Sequence, residues 1–150
     1  MNEINNKEIN NKEIVYTAHL HWVLFLGPVV MMLIALSVGL NFDEKPVRLV
    51  ALFFLVISWV WTAMVWVTYR FSSLTIKKKQ VILRTGLLVR QTVDIAVARI
   101  ESIDIRQTVF GTILHYGSLV ITGTGGTRQV INYLSKPLTC RRYIEQSMHE

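Results

Sequence analysis

The 150-residue chain has one cysteine, three prolines, four histidines and few charges, and each scarcity excludes something. A single thiol, Cys140, forms no internal disulfide framework and supplies no metal-site spacing, which fits a reducing compartment. His19 and His21 stand two apart with no third ligand nearby, so they read as interfacial residues and no metal is expected. Charged residues make up 17% of the chain, against roughly 25% in soluble globular domains, while hydrophobic residues reach 51%.

The missing charge is missing locally. No Asp, Glu, Lys or Arg occurs between Trp22 and Leu40, or between Leu49 and Tyr69. Each run approaches the ~20 apolar residues that cross ~30 Å of hydrocarbon. A buried core helix is usually shorter or carries a polar stripe, and these runs are apolar all round. A cleavable signal is disfavoured for the first run: acidic as well as basic residues precede it, and no Ala-x-Ala site follows Leu40. The expected organisation is a flexible polar tail over 1–20, a transmembrane hairpin over 21–69 (helices about 22–41 and 47–69), and a small domain over 70–150.

The tail repeats Glu-Ile-Asn-Asn-Lys, a five-residue period that does not track a helical turn. Gly27-Pro28 predicts a bend in the first third of span one. The short connection Asn41–Pro46 forces an antiparallel pair, with Ala35 and Gly39 facing Ser58, Thr62 and Ala63 as the expected close seam. Lys7, Lys12, Arg70 and Lys77–Lys79 outweigh Lys45 and Arg48, which Asp43 and Glu44 offset. The positive-inside rule therefore places both termini in the cytoplasm, with Trp22, Trp66, Tyr69 and Arg70 at one interface.

From Arg70 the pattern changes to short β-branched runs. Residues 71–76, 80–85, 87–95, 100–107, 119–123 and 128–134 read as strands, punctuated by Lys77–Lys79, Gly86 and Gly123-Thr124-Gly125-Gly126. Ser135-Lys136-Pro137 then opens a helix whose Cys140, Tyr143, Ile144, Ser147 and Met148 share one face. Such a helix covers a sheet too small to bury its own core.

Within this domain, Arg99-Ile100-Glu101-Ser102-Ile103, then Ile105-Arg106-Gln107-Thr108, then Gly111 through Tyr116-Gly117 to Gly126, follow a Leu74-Thr75 to Gly86 hairpin. This pattern resembles the bacterial pleckstrin-homology-like (PH-like) family of small membrane proteins over about residues 69–146. The resemblance implies a membrane-anchored α+β chain: a two-helix hairpin, then an antiparallel PH-like β-barrel or sandwich with a C-terminal capping helix. It marks Arg99, Gly111, Tyr116, Gly117, Gly123, Gly125 and Gly126 as a structural motif, and it implies a scaffolding or membrane-proximal binding domain without a reaction.

Candidate chemistry is sparse. Lys77, Lys78 and Lys79 occupy the turn where PH domains often hold phosphoinositide headgroups, and Arg84 follows, but Gly86 stands where a second basic residue is usual. A softer attraction to anionic lipid, roughly 1 kcal/mol per basic residue, is the remaining lipid reading. From Arg70 onward there are 12 Lys/Arg against 5 Asp/Glu, yet they are scattered and no nucleic-acid motif accompanies them. Gly123–Thr127 lacks the Lys-Ser/Thr of a phosphate loop. Asp94, Glu101 and Asp104 converge on nothing, and His115 has no nucleophile beside it. The expectation is a non-enzymatic module in a bacterial cytoplasmic membrane, without cofactor or nucleic acid. It would contact the bilayer and bind a protein partner or another copy of itself, with a lipid sensor or an accessory subunit of a larger complex as alternatives.

Overall fold

A computed structural model describes residues 14–86 and 90–150. The chain divides into two compact units, Trp22–Phe71 and the segments on either side of it.

In the first unit a 3-10 turn, Trp22–Phe25, runs into α1, Leu26–Asn41, and α2 spans Lys45–Phe71. Contacts between the helices run in opposite order along them, so they are antiparallel. Gly39 lies against Ala51, the Pro28 carbonyl accepts the Ser58 hydroxyl at 2.7 Å, and Phe25 meets Tyr69 edge-on at 5.4 Å. Ala51, Ser58 and Val65, spaced by sevens, are the buried residues of α2. Small side chains on this seam let the backbones approach. Of the residues expected there, Ala63 is exposed and Thr62 turns its hydroxyl back to the Ser58 carbonyl at 2.8 Å. Where a bend was expected at Pro28, the 3-10 turn Trp22–Phe25 gives way to α-helix two residues before it, and Pro28, third residue of α1, supplies the helical φ of the first α-turn. Pro46 does the same as second residue of α2, which begins two residues before the expected 47.

The second unit has seven strands among the described residues, in two antiparallel sheets. One sheet is β1 (Ile14–His19), β2 (Ser73–Lys77), β3 (Gln80–Thr85) and β4 (Gln91–Ala96), paired in that order. The other is β5 (Ile100–Arg106), β6 (Tyr116–Gly123) and β7 (Arg128–Ser135). A six-residue helix, α3 (Val109–Leu114), joins β5 to β6, and α4 (Pro137–His149) ends the chain. The strands read from sequence occur with shifted ends. Phe71 belongs to α2, β6 starts at Tyr116, and residues 87–89 of the expected third strand lie outside the described residues.

Two expectations need correction. The tail assigned to 1–20 ends in β1: Tyr16, Ala18 and His19 pair with Ile76, Leu74 and Ser73, and Ala18 and Leu20 are buried. Ile14-Val15-Tyr16-Thr17 is β-branched and aromatic, as an edge strand covering one face requires. The Asn-rich repeat itself, within residues 1–13, lies outside the described residues. Of the barrel or sandwich expected, the closed barrel is not formed. β1 and β7 meet at an isolated Leu20–Leu134 bridge and at the His21 amide, which donates to Tyr133. Between β4 and β5 the 3-10 turn Val97–Arg99 intervenes, and a cleft of about 360 Å³ separates Ile95 and Ala96 from Gly123 and Gln129.

The core lies between the two sheets under α4. Leu74 and Ile76 alternate inward on β2, Val81 and Leu83 on β3, and Leu119, Ile121, Ile131 and Leu134 face them from β6 and β7. Each such side chain contributes about 1.5–3 kcal/mol on burial. Cys140 and Ile144 of α4 complete the cluster, while Met148, expected on the same face, is exposed. The cap of α4 also departs from expectation. Ser135 ends β7, and Lys136, with φ 51°, makes the left-handed turn that sets Pro137 as first helical residue.

Candidate functional site

The β5–β6 connection is fixed by the residues that carry the family-like pattern. Thr108 caps α3: its hydroxyl accepts the Gly111 amide at 3.1 Å, and its carbonyl accepts the Thr112 amide at 2.9 Å. A Cβ at Gly111 would come within 2.6 Å of the Tyr116 carbonyl oxygen, so only glycine lets the helix sit this close. Gly117 is confined in the same way: a Cβ there would come within 2.6 Å of Gln107 Cγ and 2.9 Å of the Arg106 carbonyl oxygen. Gln107 donates to the Tyr116 carbonyl at 3.2 Å. His115 closes α3 at φ 59°, and its carbonyl accepts the Lys136 amide at 2.9 Å.

Beside this connection is a pocket of about 410 Å³ lined by Arg106, Thr108, Tyr116, Ser118, Asn132 and Tyr133. Its shape follows from a bulge. Gly117 pairs with Leu134 and Leu119 with Ile131, so Asn132 and Tyr133 together oppose Ser118. The extra residue puts Tyr133 at φ 54°, a left-handed conformation costing about 1–2 kcal/mol for a residue with a Cβ. It also turns the Tyr133 ring toward Tyr116, at 6.1 Å, and Tyr116 in turn stacks on His21 at 5.4 Å. Ser118 donates to Asn132 at 2.8 Å. Burial lowers the His21 pKa below the usual imidazole range; the Leu114 backbone opposes this shift and His115 adds to it. The pocket offers one guanidinium, hydroxyls and an amide, a set that recognises an anionic oxygen ligand. It contains no nucleophile paired with a base, and among the described residues no three His, Cys, Asp or Glu side chains form a metal-binding group.

The residues singled out from sequence fall in separate places. The Lys77–Lys79 turn follows β2 at the end away from Ser73, while Arg84 pairs with Ser73 at the other end. Lys78 and Lys79 border a groove with Val97, Ile100 and Met148. The motif divides likewise. Gly111, Tyr116 and Gly117 hold α3 at one end of β6, whereas Arg99 accepts the Thr124 amide at 2.8 Å beside Gly123 at the other. Gly125 and Gly126 form that turn with φ 94° and 79°. In the helical unit, Trp22 and Trp66 are exposed, and Phe25 brings the start of the first apolar segment to Tyr69, next to Arg70. Asn132, Tyr133 and Ser118 were not foreseen, because a bulge leaves no mark on strand alternation. The apolar residues of α3 had a signal, pairs at 109–110 and 113–114, but six residues are too few for periodicity to declare a helix.

No curated protein matches the chain. Among solved structures, a DUF1696 family protein with a pleckstrin-homology domain from Shewanella loihica PV-4 is similar, at 13% identity and TM-score 0.41 over 51% of this chain and 70% of that one. The profile of the bacterial PH domain matches residues 23–145, most of the chain, and so takes in both the apolar helices and the β unit. This chain belongs to the bacterial PH domain family.

Proposed function

We propose that the chain is a non-enzymatic, membrane-anchored PH-like module whose β domain stands at the cytoplasmic face of a bacterial inner membrane and binds a protein partner or a second copy. The apolar helices carry this reading. Trp22–Asn41 and Lys45–Phe71 have mean hydropathies of 2.5 and 2.2, and only 11% and 17% of their most apolar windows are buried within the chain. Water is a poor solvent for so much exposed Leu, Phe and Trp surface, and hydrocarbon is a good one. Membrane-crossing helices would leave the β domain as the recognition surface.

The test is cysteine labelling in intact and permeabilised cells. Phe42→Cys, in the inter-helix connection, is expected to react with an impermeant maleimide from outside. Thr124→Cys, in the β6–β7 turn, is expected to react only after permeabilisation. Reaction of both in intact cells would refute the orientation, and extraction of the chain by alkaline carbonate would refute the anchoring. Cross-linking in native membranes that recovered only monomer would sink the partner reading. The alternative lipid-sensor reading requires salt-sensitive binding to anionic liposomes that charge reversal of Lys77, Lys78 and Lys79 abolishes. The accessory-subunit reading requires a transporter or membrane enzyme to copurify in mild detergent.

A further inference from the structure

Among the described residues of the β unit, α3 is the most exposed apolar element: Val109, Phe110 and Ile113 are 77%, 72% and 68% accessible, and Leu114 is 37%. Its opposite side is pinned, through buried Gly111, against the Tyr116 backbone. The helix is therefore held rigidly with its apolar side chains outward, an arrangement that is unfavourable in water unless something covers it.

What covers it is indicated by the path of the chain. The His21 ring stacks at 5.4 Å on Tyr116, which opens β6 just after α3, and His21 directly precedes Trp22, where the first apolar segment begins. The return connection enters the β unit at Ser72 and Ser73, and Ser73 pairs with His19. Both connections thus leave the β unit at the end that carries α3. Charge agrees with position. Arg106 immediately precedes the α3 cap, Lys136 bonds to His115, and Arg84 pairs with Ser73, and none of the three has an ion-pair partner among the described residues.

We infer that α3 is a monolayer-inserting element: Val109, Phe110, Ile113 and Leu114 enter the acyl boundary of the membrane, and Arg106, in the pocket beside them, takes the phosphate of an anionic lipid headgroup. This rests on the reading that α1 and α2 cross the bilayer. A short apolar helix edged by cations is the form that interfacial anchoring takes. The device fixes the orientation of the β domain on the surface, which two tethers alone would leave free to pivot.

The test is spin labelling of the full chain in phosphatidylglycerol-containing vesicles, reading collisions with oxygen, enriched in lipid, against a nickel chelate confined to water. Labels are placed at Phe110→Cys, Ile113→Cys, Thr124→Cys and Ile34→Cys. Native Cys140 is fully buried, and burial raises its thiol to about 12, so it stays unlabelled. Thr124 is a control at the opposite end of β6, roughly 25 Å away at ~3.3 Å per residue. Positions 110 and 113 are expected to favour oxygen, at shallower depth than 34, while 124 favours nickel. Nickel-dominated collisions at 110 and 113 with oxygen-dominated collisions at 34 would overturn the inference and leave the membrane-spanning reading intact. Nickel-dominated collisions at 34 would overturn that reading itself. Protection of 110 and 113 from both reagents would assign α3 to a protein contact and overturn lipid insertion. Depth at 110 is expected to fall in purely zwitterionic vesicles and in the Arg106→Glu variant; unchanged depth in both would overturn the headgroup role of Arg106. A Phe110→Asp and Ile113→Asp double variant alters only exposed side chains, and a native melting temperature with lost protection at a label on Val109→Cys is the matching expectation.

Discussion

Tyr16 and Tyr143 are stacked, ring centroids 4.8 Å apart and planes 15° from parallel. The contact fastens the first strand of the β unit to its last helix, two segments separated by nearly the whole chain. Burial also raises the Tyr16 phenol above its usual pKa, with Cys140 and Tyr143 adding to the effect.

Replacing Tyr16 with Ala is therefore expected to destabilise the β unit by about 2 kcal/mol, combining a partly buried aromatic truncation with loss of the ring pair. Tyr16→Phe should cost much less, because the stack is a ring contact and no hydrogen bond from the phenol occurs among the described residues. Chemical denaturation of the full chain in nanodiscs, followed by loss of thiol protection at Cys140, measures both. An unchanged midpoint for Tyr16→Ala would show that β1 is dispensable.

Gly111→Ala tests the close approach of α3 to β6. Its Cβ would meet the Tyr116 carbonyl oxygen at 2.6 Å and the capping Thr108 hydroxyl at 3.2 Å, and the Tyr116 backbone has little room to yield. The expected cost is about 1–3 kcal/mol, the range of forced overpacking. Gly125→Ala is the contrasting case: nothing stands within 4 Å of the added carbon, and only the φ of 94° opposes it. About 1 kcal/mol is expected there. A melting-temperature series on the two variants separates steric from torsional requirements.

The two units differ in how far their residues announce them. An uninterrupted apolar run of this length is too long for a strand and reads as a helix, so both long helices could be placed within a few residues of their ends. The inward alternation of Leu74, Ile76, Val81 and Leu83 was equally plain, as was the Cys140–Ile144 face of α4. β1 was missed because its six residues adjoin a polar repeat and because its partner, β2, lies beyond both helices in sequence. The open seam between β4 and β5 was invisible for a related reason: closure depends on hydrogen bonds between edges, and side-chain pattern does not report them. The pocket at Arg106 depends on a bulge at Tyr133, a backbone event that a tyrosine gives no warning of.

Acidification should weaken the β unit through His21. Its pKa is lowered in the fold, so the unfolded chain takes up the proton first as pH falls through about 6.5. Between the unfolded and folded values the unfolded state holds more protons, and stability decreases with falling pH. Stability from this group is fully present above the unfolded value. The melting temperature of the full chain is expected to drop between pH 7.5 and 5.5, and a His21→Gln variant should show a shallower slope. An identical slope in the variant would remove His21 as the source.

Ser58 tests the seam between the apolar helices. Its hydroxyl is fully buried and donates to the Pro28 carbonyl at 2.7 Å, so it serves both as a small spacer and as a polar clasp. The two roles predict different costs. Ser58→Ala keeps the spacing and loses the bond, about 0.6–2 kcal/mol as such bonds are measured in membranes. Ser58→Leu adds volume where Ala51, Ser58 and Val65 face α1, and overpacking of about 1–3 kcal/mol is expected on top of the lost bond. Steric trapping of the hairpin in bicelles, with tags at Val29→Cys and Val60→Cys, reads both. A Leu variant no weaker than the Ala variant would mean that close helix approach at this level contributes nothing, and that the hydrogen bond alone selects serine.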